Sequence, residues 1–423
     1  MKEGILGVGC ALGLLVGSLG AQEASPPVAE AVHEGYPVLK ASELLRPEVL
    51  KGPYHTVLDA VPTQGFANQY TVQTNWGIFN VRGNALLAKR IHEFEAIARL
   101  ENASESEEFE RSLRKAAASP LKAIGGAIQD PGAALKGLGA GAERLFNKVG
   151  EGFERGGKKS ANTDNAMEGI LGISKAKRDI AAYLKVDPYT DNQILQQRLD
   201  DVARASFLGG IVVKAGTFAL SAGAGSAVAS VAGNAALADD VTNMVHANDP
   251  LSLSDLNRDR LRALGISEEG IDVFLEHPNI TPWQQTVLVG NLRRIGKVEG
   301  IEDFLKMVGT SQATADVEFF AQTSGMMADY HERVSPLKRV LSLSGLPAIH
   351  AGNNALVIPL AVDYGSWSEP ADRLSAAIMQ YKPQVEISER RLWIAGRLSE
   401  RAQKELKARG FELTDGTNIP LYR

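Results

Sequence analysis

The chain contains one cysteine, Cys10, in 423 residues, and that cysteine lies within an uncharged apolar stretch at the N-terminus. Residues 4 to 21 carry no charge and are built around Ile5, Leu6, Val8, Leu12, Leu14, Leu15, Val16 and Leu19. Lys2 and the terminal amine supply a positive end, Ser18 and Gly20 are small residues spaced for cleavage after Gly20, and Gln22 to Pro27 is polar and extended. This is the pattern of an export signal. Its removal would leave a chain without cysteine, in which neither a disulfide nor a thiolate metal site can form. Stability must then come from ordinary apolar burial, and the hydrophobic content is 44%. Two other readings of the segment stay open. An uncleaved anchor needs roughly 20 apolar residues, and Gly4, Gly7, Gly9, Gly13 and Gly17 dilute the run. Lipid attachment at Cys10 places Gly7 where a large aliphatic residue is usual. Glu3 is unfavourable under all three readings.

A chain of this length exceeds what one core fills, so two or three domains are expected. Aromatic residues are 6% and glycines number 42, a balance that favours closely packed helices and loops over a β-rich sandwich. The fold class expected is α+β and mainly α-helical: an N-terminal β-hairpin plus helices, a central irregular helical region and a small C-terminal mixed α/β domain. The divisions are a signal peptide at 1–20, an extended linker at 21–53, a hairpin and helix module at 54–115, a Gly-rich basic region at 116–182, a helical domain at 183–334 and an α/β domain at 335–423.

Local patterns support these divisions. Residues 22 to 53 hold five prolines and admit only a short helix around Ala41 to Leu45. Tyr70 and Val72, then Phe79 and Val81, alternate about Asn75-Trp76-Gly77 and predict a hairpin over 68–82. Leu86, Leu87, Ile91, Phe94, Ile97 and Leu100 recur at helical spacing. Thr190 with Gln193 is read as the cap of a helix bearing Leu195 and Leu199. Further on, Ser254 is read as preceding a helix that ends at Gly265, Ser267 as capping the next, and Thr281-Pro282 as starting a third. Beyond residue 335, strands are expected at Val340 to Leu343, Leu356 to Val362, Leu392 to Ala395 and Phe411 to Leu413. Helices capped by Ser368 and Ser399 alternate with the later ones, giving the order β, β, α, β, α, β.

Two segments suggest contact with other surfaces. Residues 111 to 185 contain 14 Lys plus Arg against 7 Asp plus Glu, so this stretch carries +7 in a chain whose net charge is −5. Within it Lys136, Arg144, Lys148, Lys158 and Lys159 are candidates for binding an anionic surface beside the apolar stripe of Leu135, Leu138, Leu145, Val149 and Phe153. The run Ala215 to Ala238 has 24 residues without a charge, 17 of them Ala, Gly or Ser. Its small-xxx-small spacing at Gly225, Ala229 and Gly233 suits close helix packing. Its five large apolar residues, Phe218, Leu220, Val228, Val231 and Leu237, contribute only about −0.3 to −0.6 kcal/mol each toward membrane insertion. A buried helix pair is therefore expected over a membrane hairpin.

Motifs of catalysis stop short at the residues that would do the work. His92-Glu93 and His331-Glu332 begin the zinc-protease pattern HExxH, but Ala96 and Ser335 replace the second imidazole, and both pairs are read as ordinary helix-surface pairs. Gly152, Gly157 and Lys158 approach a phosphate loop, yet Lys159 stands where a Ser or Thr must meet magnesium. Gly137, Gly139 and Ala142 imitate a dinucleotide fingerprint without a preceding strand. No GxSxG elbow is present, and no metal site or cofactor is expected. The candidate catalytic residue is Asp363, at the end of an expected strand that follows His350, Asn353 and Asn354, because ligands of α/β sheets gather outside the carboxyl ends of strands. A turn-forming or helix-capping role is the favoured assignment for this aspartate.

These features together predict an exported bacterial cell-envelope protein, in the periplasm or envelope, acting as a non-enzymatic scaffold or protein-interaction partner. One alternative is a membrane-associating or membrane-inserting protein using the Gly/Ala-rich segments. A further alternative is an envelope hydrolase with its site in the C-terminal α/β domain. The expected partners are proteins, with peripheral contact to an anionic membrane and no nucleic acid, since the aromatic interleaving of nucleic-acid binders is missing.

Overall fold

The computed structural model describes residues 32–64, 67–104, 161–209, 235–383 and 385–414. The expected signal with Cys10, the basic candidates Lys136, Arg144, Lys148, Lys158 and Lys159, and most of the Ala215 to Ala238 run lie outside the described residues.

The architecture is α+β and mainly helical, as composition and periodicity predict. Strand β1 (Val38–Lys40), two helical turns α1 (Ala41–Leu44) and α2 (Pro47–Leu50), and strands β2 (His55–Val57), β3 (Ala60–Gln64), β4 (Ala67–Thr74) and β5 (Gly77–Arg82) open the described fold. The sheet order is β1-β3-β4-β2 with β5 on β4, all antiparallel. The β4–β5 hairpin is the one expected, with Thr74 opposite Gly77 across Asn75-Trp76. The sequence gives no clear sign of β1, β2 and β3, because each is short and their stretch is crowded with prolines. Helix α3 (Asn84–Ser104) follows, and the next described segment holds α4 (Ala161–Leu184) and α5 (Gln193–Gly209). A single core joins Val61, Tyr70 and Val72 of this sheet to Leu87, Ile91, Phe94 and Ile97 of α3 and to Ile180, Leu195 and Leu199 of the helix pair.

One expected cap is corrected here. The α5 N-terminus is held by Asn192, whose Oδ1 accepts the N–H groups of Ile194 and Leu195. Thr190 instead turns its hydroxyl to Glu93, because the loop before α5 folds against α3.

The central helices are α6 (Ala235–Ala247), α7 (Pro250–Leu264), α8 (Glu268–Leu275), α9 (Pro282–Ile295), α10 (Ile301–Val308) and α11 (Thr314–Arg333). Their punctuation follows physical rules. Thr281 and Gln284 form a reciprocal capping box ahead of Pro282. Ser267 caps α8, and Gly265 ends α7 in the left-handed region at φ 85°. The start of α7 differs from expectation: Asp249 is its cap, accepting from Leu251 and Ser252, and Ser254 lies inside the helix. Aspartate followed by proline is the stronger start signal at this point.

The C-terminal layer contains β6 (Leu337–Leu343), β7 (Leu346–Ala351), β8 (Ala355–Leu360), β9 (Tyr364–Gly365), α12 (Glu369–Gln380), β10 (Glu389–Ile394), β11 (Arg397–Leu398), α13 (Glu400–Ala408) and β12 (Phe411–Thr414). Its main sheet runs β12-β10-β8-β7-β6. Strands β8, β10 and β12 are parallel, and β6 and β7 are antiparallel additions. Strand β8 reads as a near-continuous apolar run because both of its faces are covered. Ala355 and Val357 join Leu292, Phe304 and Tyr330 of the central helices, while Leu356 and Ile358 join Ile378 of α12 and Leu406 of α13.

Candidate functional site

The carboxyl end of β8 opens on a cavity of about 430 Å³. Its walls come from the β5–α3 junction, the first half of α11, the β8–β9 connection, and the inward faces of α12 and α13. Leu360, Leu374, Ile378, Leu392 and Leu406 make its apolar interior.

Asp363 lines this cavity, but its carboxylate is engaged. Oδ2 accepts the backbone N–H of Asn68 at 2.9 Å. The N–H of Asn84 is shared between Oδ1 at 3.1 Å and Oδ2 at 3.2 Å. Asn84 is the first residue of α3, so its N–H is one of the donors that a helix leaves without an internal partner. Asp363 therefore supplies a helix cap from the far end of the sequence, at the end of the macrodipole that favours negative charge. Around it, the Tyr70 hydroxyl donates to Asn84 Oδ1 at 2.7 Å, and Asn68 Nδ2 donates to the same oxygen at 3.2 Å. Burial pushes the Asp363 carboxyl up to about 6, outweighing the two N–H donors and the charge of Arg82.

Close approach by Gly396 fixes this aspartate. A Cβ on Gly396 would meet the Asp363 carbonyl oxygen at 2.1 Å and that of Val362 at 2.3 Å. The next residue, Arg397, donates its N–H to the same Asp363 carbonyl at 3.0 Å.

Arg82 is the other charged group of interest at the cavity. It lines the opening, is exposed, and its guanidinium forms no ion pair with another described residue. Asp316 and Glu318 also line the cavity but have partners. Asp316 accepts the N–H groups of Gln312 and Ala313, and Glu318 accepts the Gln284 amide.

A second polar group lies between α3 and the loop before α5. Arg90 donates to Glu93 and to Asp191, each at 2.6 Å. Glu93 also accepts from Thr190 and from Asn192. Beside them Lys89 Nζ stands 3.6 Å from Asp187 Oδ2. Burial pushes the Asp187 carboxyl up to about 6 against the pull of Lys89. Burial opposes ionisation of Asp191 too, but the charge and hydrogen bond of Arg90 carry it below its ordinary value. The expectation that His92-Glu93 is a surface pair is corrected for the glutamate: Glu93 is almost fully buried. His92 bonds the Leu184 and Lys185 carbonyls, and His331 accepts the N–H of Leu337. Among the described residues no group of three His, Cys, Asp or Glu side chains is placed to hold a metal ion.

The residues named with Asp363 on sequence grounds are not brought to it. His350, Asn353 and Asn354 lie at the amino end of β8, and its six residues separate the two ends by about 20 Å. What the sequence does not reveal is the convergence of Asn68, Arg82 and Asn84 on the strand end, since nothing local marks a contact between positions so far apart.

Comparison of the chain with protein-family models, with curated proteins and with solved structures finds no match in any of the three.

Proposed function

We propose that this chain is an exported bacterial cell-envelope protein that works by binding, as a non-enzymatic scaffold or protein-interaction partner. The observation that carries the reading is the state of Asp363. The Asp363 carboxylate at the carboxyl end of the buried strand is held by two backbone amides and joins distant parts of the chain, which is a structural task. A hydrolase at this cavity would need that group free to take a proton or to attack, so the envelope-hydrolase alternative loses its candidate residue.

Export rests on the uncharged segment around Leu12 to Leu19 and the small residues Ser18 and Gly20. The membrane-associating alternative rests on the Gly/Ala-rich segments and on Lys136, Arg144, Lys148, Lys158 and Lys159. Among the described residues no helix is long and apolar enough to cross a membrane.

Fractionation of a bacterium expressing the chain with a C-terminal tag tests the location. The expected product is processed after Gly20 and recovered from the envelope or periplasm, whereas an uncut product in the cytosol refutes export. Flotation with anionic liposomes separates scaffold from membrane binder, because a scaffold stays in the unbound fraction. A turnover abolished by Asp363→Asn in a variant that still folds would overturn the non-enzymatic reading.

A further inference from the structure

We propose that the cavity at the carboxyl end of β8 binds a long-chain carboxylate, with the hydrocarbon chain between the main C-terminal sheet and helices α12 and α13 and the carboxylate paired with Arg82 at the opening. The volume of about 430 Å³ falls within the roughly 300–1,000 Å³ typical of small-molecule sites. Its interior is walled by leucine and isoleucine side chains of both layers, Leu360 and Leu392 from the sheet, Leu374 and Ile378 from α12, and Leu406 from α13. Water entering such a space finds too few polar partners to be held, and an empty space forfeits dispersion contacts along its whole lining. An apolar chain satisfies both conditions.

The polar groups around the cavity narrow the ligand further. The Ser311 hydroxyl donates to the Val308 carbonyl, the Thr310 hydroxyl to Met307 and the Ser375 hydroxyl to Asp372. Asp363, Asp316 and Glu318 have neutral partners and keep their negative charge, so an anionic head is confined to the Arg82 side of the opening. The interior therefore offers a ligand shape and apolar contact but little hydrogen bonding. Gln322 and Ser366 add an amide and a hydroxyl to the lining, and Arg82 is its cationic group, exposed and without an ion pair to another described residue. Its planar fork matches a carboxylate in bidentate geometry. One apolar tail with one anionic head is the chemistry that uses both features.

The inference goes beyond the proposed function, resting on it only in taking the ligand as bound and not converted. Titration calorimetry on the full chain with dodecanoate, and with dodecanol as the uncharged control, tests it. Saturable binding of one dodecanoate per chain is expected, with dodecanol weaker. Arg82→Gln, a change at an exposed position that leaves the fold intact, is expected to weaken dodecanoate about tenfold while leaving dodecanol unchanged. Ala402→Phe, which fills the cavity from α13, is expected to abolish binding of both with the circular dichroism spectrum preserved. The proposal is overturned if dodecanoate shows no saturable binding below its micelle range, if dodecanol binds as tightly, or if Arg82→Gln has no effect. Conversion of dodecanoate would sink the non-enzymatic reading and leave the binding site standing; a cytosolic location would sink export and leave this measurement untouched.

Discussion

The Asp363 carboxylate accepts the backbone N–H of Asn84, a residue 279 positions earlier in the chain, and so caps helix α3 from the last sheet of the fold. Asp363→Ala removes the acceptor for two buried N–H groups at once. The loss is partly offset because a buried charge disappears with it. The net expectation is a destabilisation of about 2 kcal/mol, read as a lower denaturation midpoint at neutral pH. A variant as stable as the parent would show that the tether contributes nothing.

The same carboxyl predicts an unusual pH dependence. Its value in the folded chain is about 6 against an ordinary 3.8, so between these values the native state holds a proton that the unfolded state has released. The stability linked to this proton is thus present below about pH 4 and lost as pH rises to about 6, a difference of about 3 kcal/mol for a shift of this size, while the acceptor role toward Asn68 and Asn84 persists above it. Asp187 carries a shift of the same sign, to about 6. Carboxyls such as Asp191, held low by Arg90, act oppositely. The informative measurement is therefore a difference: the stability of Asp363→Asn minus that of the parent should rise between pH 4 and 6 and be flat above 7. A flat difference throughout would contradict the assignment.

How much of this was legible in the sequence depended on range. Local physics marked the hairpin through the alternation of Tyr70, Val72, Phe79 and Val81, and marked α9 through Thr281 and Pro282. It also placed Asp363 after a strand. Strand β7 escaped because Pro347 interrupts its pattern, and β1 to β3 because three to five residues give too little periodicity. The cavity escaped for a different reason. Arg82, Asn84, Glu318 and Asp363 belong to four separate elements, and only tertiary packing makes them neighbours. Burial of Glu93 was equally hidden, since its partners Thr190 and Asn192 lie about a hundred positions away.

Partly exposed Lys89 and buried Asp187 form a pair 3.6 Å apart, and Asp187 Oδ2 has no hydrogen-bond partner among the described residues. Removing only the lysine leaves an uncompensated buried carboxylate. Lys89→Met is therefore expected to cost about 3 kcal/mol at pH 7, and the double variant Lys89→Met with Asp187→Leu to recover most of that loss. Denaturant unfolding of the two single variants and the double variant checks this coupling, and additive losses would refute it.

Gly396 gives a prediction that concerns space alone. A methyl group there would press within 2.1 Å of the Asp363 carbonyl oxygen, a backbone atom that cannot swing aside as a flexible side chain can. Gly396→Ala must displace the β8–β9 connection or the turn before β11, breaking the 3.0 Å bond from Arg397 to Asp363. The expected destabilisation is about 2–3 kcal/mol. If the displaced loop carries Asp363 with it, protection of the Asn84 amide against hydrogen exchange falls as well, and a stable variant with that amide still protected would show that the approach is not tight.

Glu34 joins the first described residues to the last layer. Its Oε2 accepts the N–H of Trp367 and the hydroxyl of Ser399, each at 2.6 Å, while its own N–H donates to the Trp367 carbonyl at 2.8 Å. Beside it His33 bonds Asp372 at 2.8 Å, and Arg409, 4.7 Å above the Trp367 ring, pairs with the same aspartate. Glu34→Ala removes the charged acceptor for both the α13 cap residue and the Trp367 amide, at an expected cost of about 1–3 kcal/mol. Trp367 also lines the cavity, so loosening it should shift its emission toward that of a solvated indole. The measurement needs Trp76, Trp283 and Trp393 replaced by phenylalanine, with the triple variant as reference. An unshifted spectrum with unchanged stability would mean that Trp367 is held by the ring stack on Arg409 and not by Glu34.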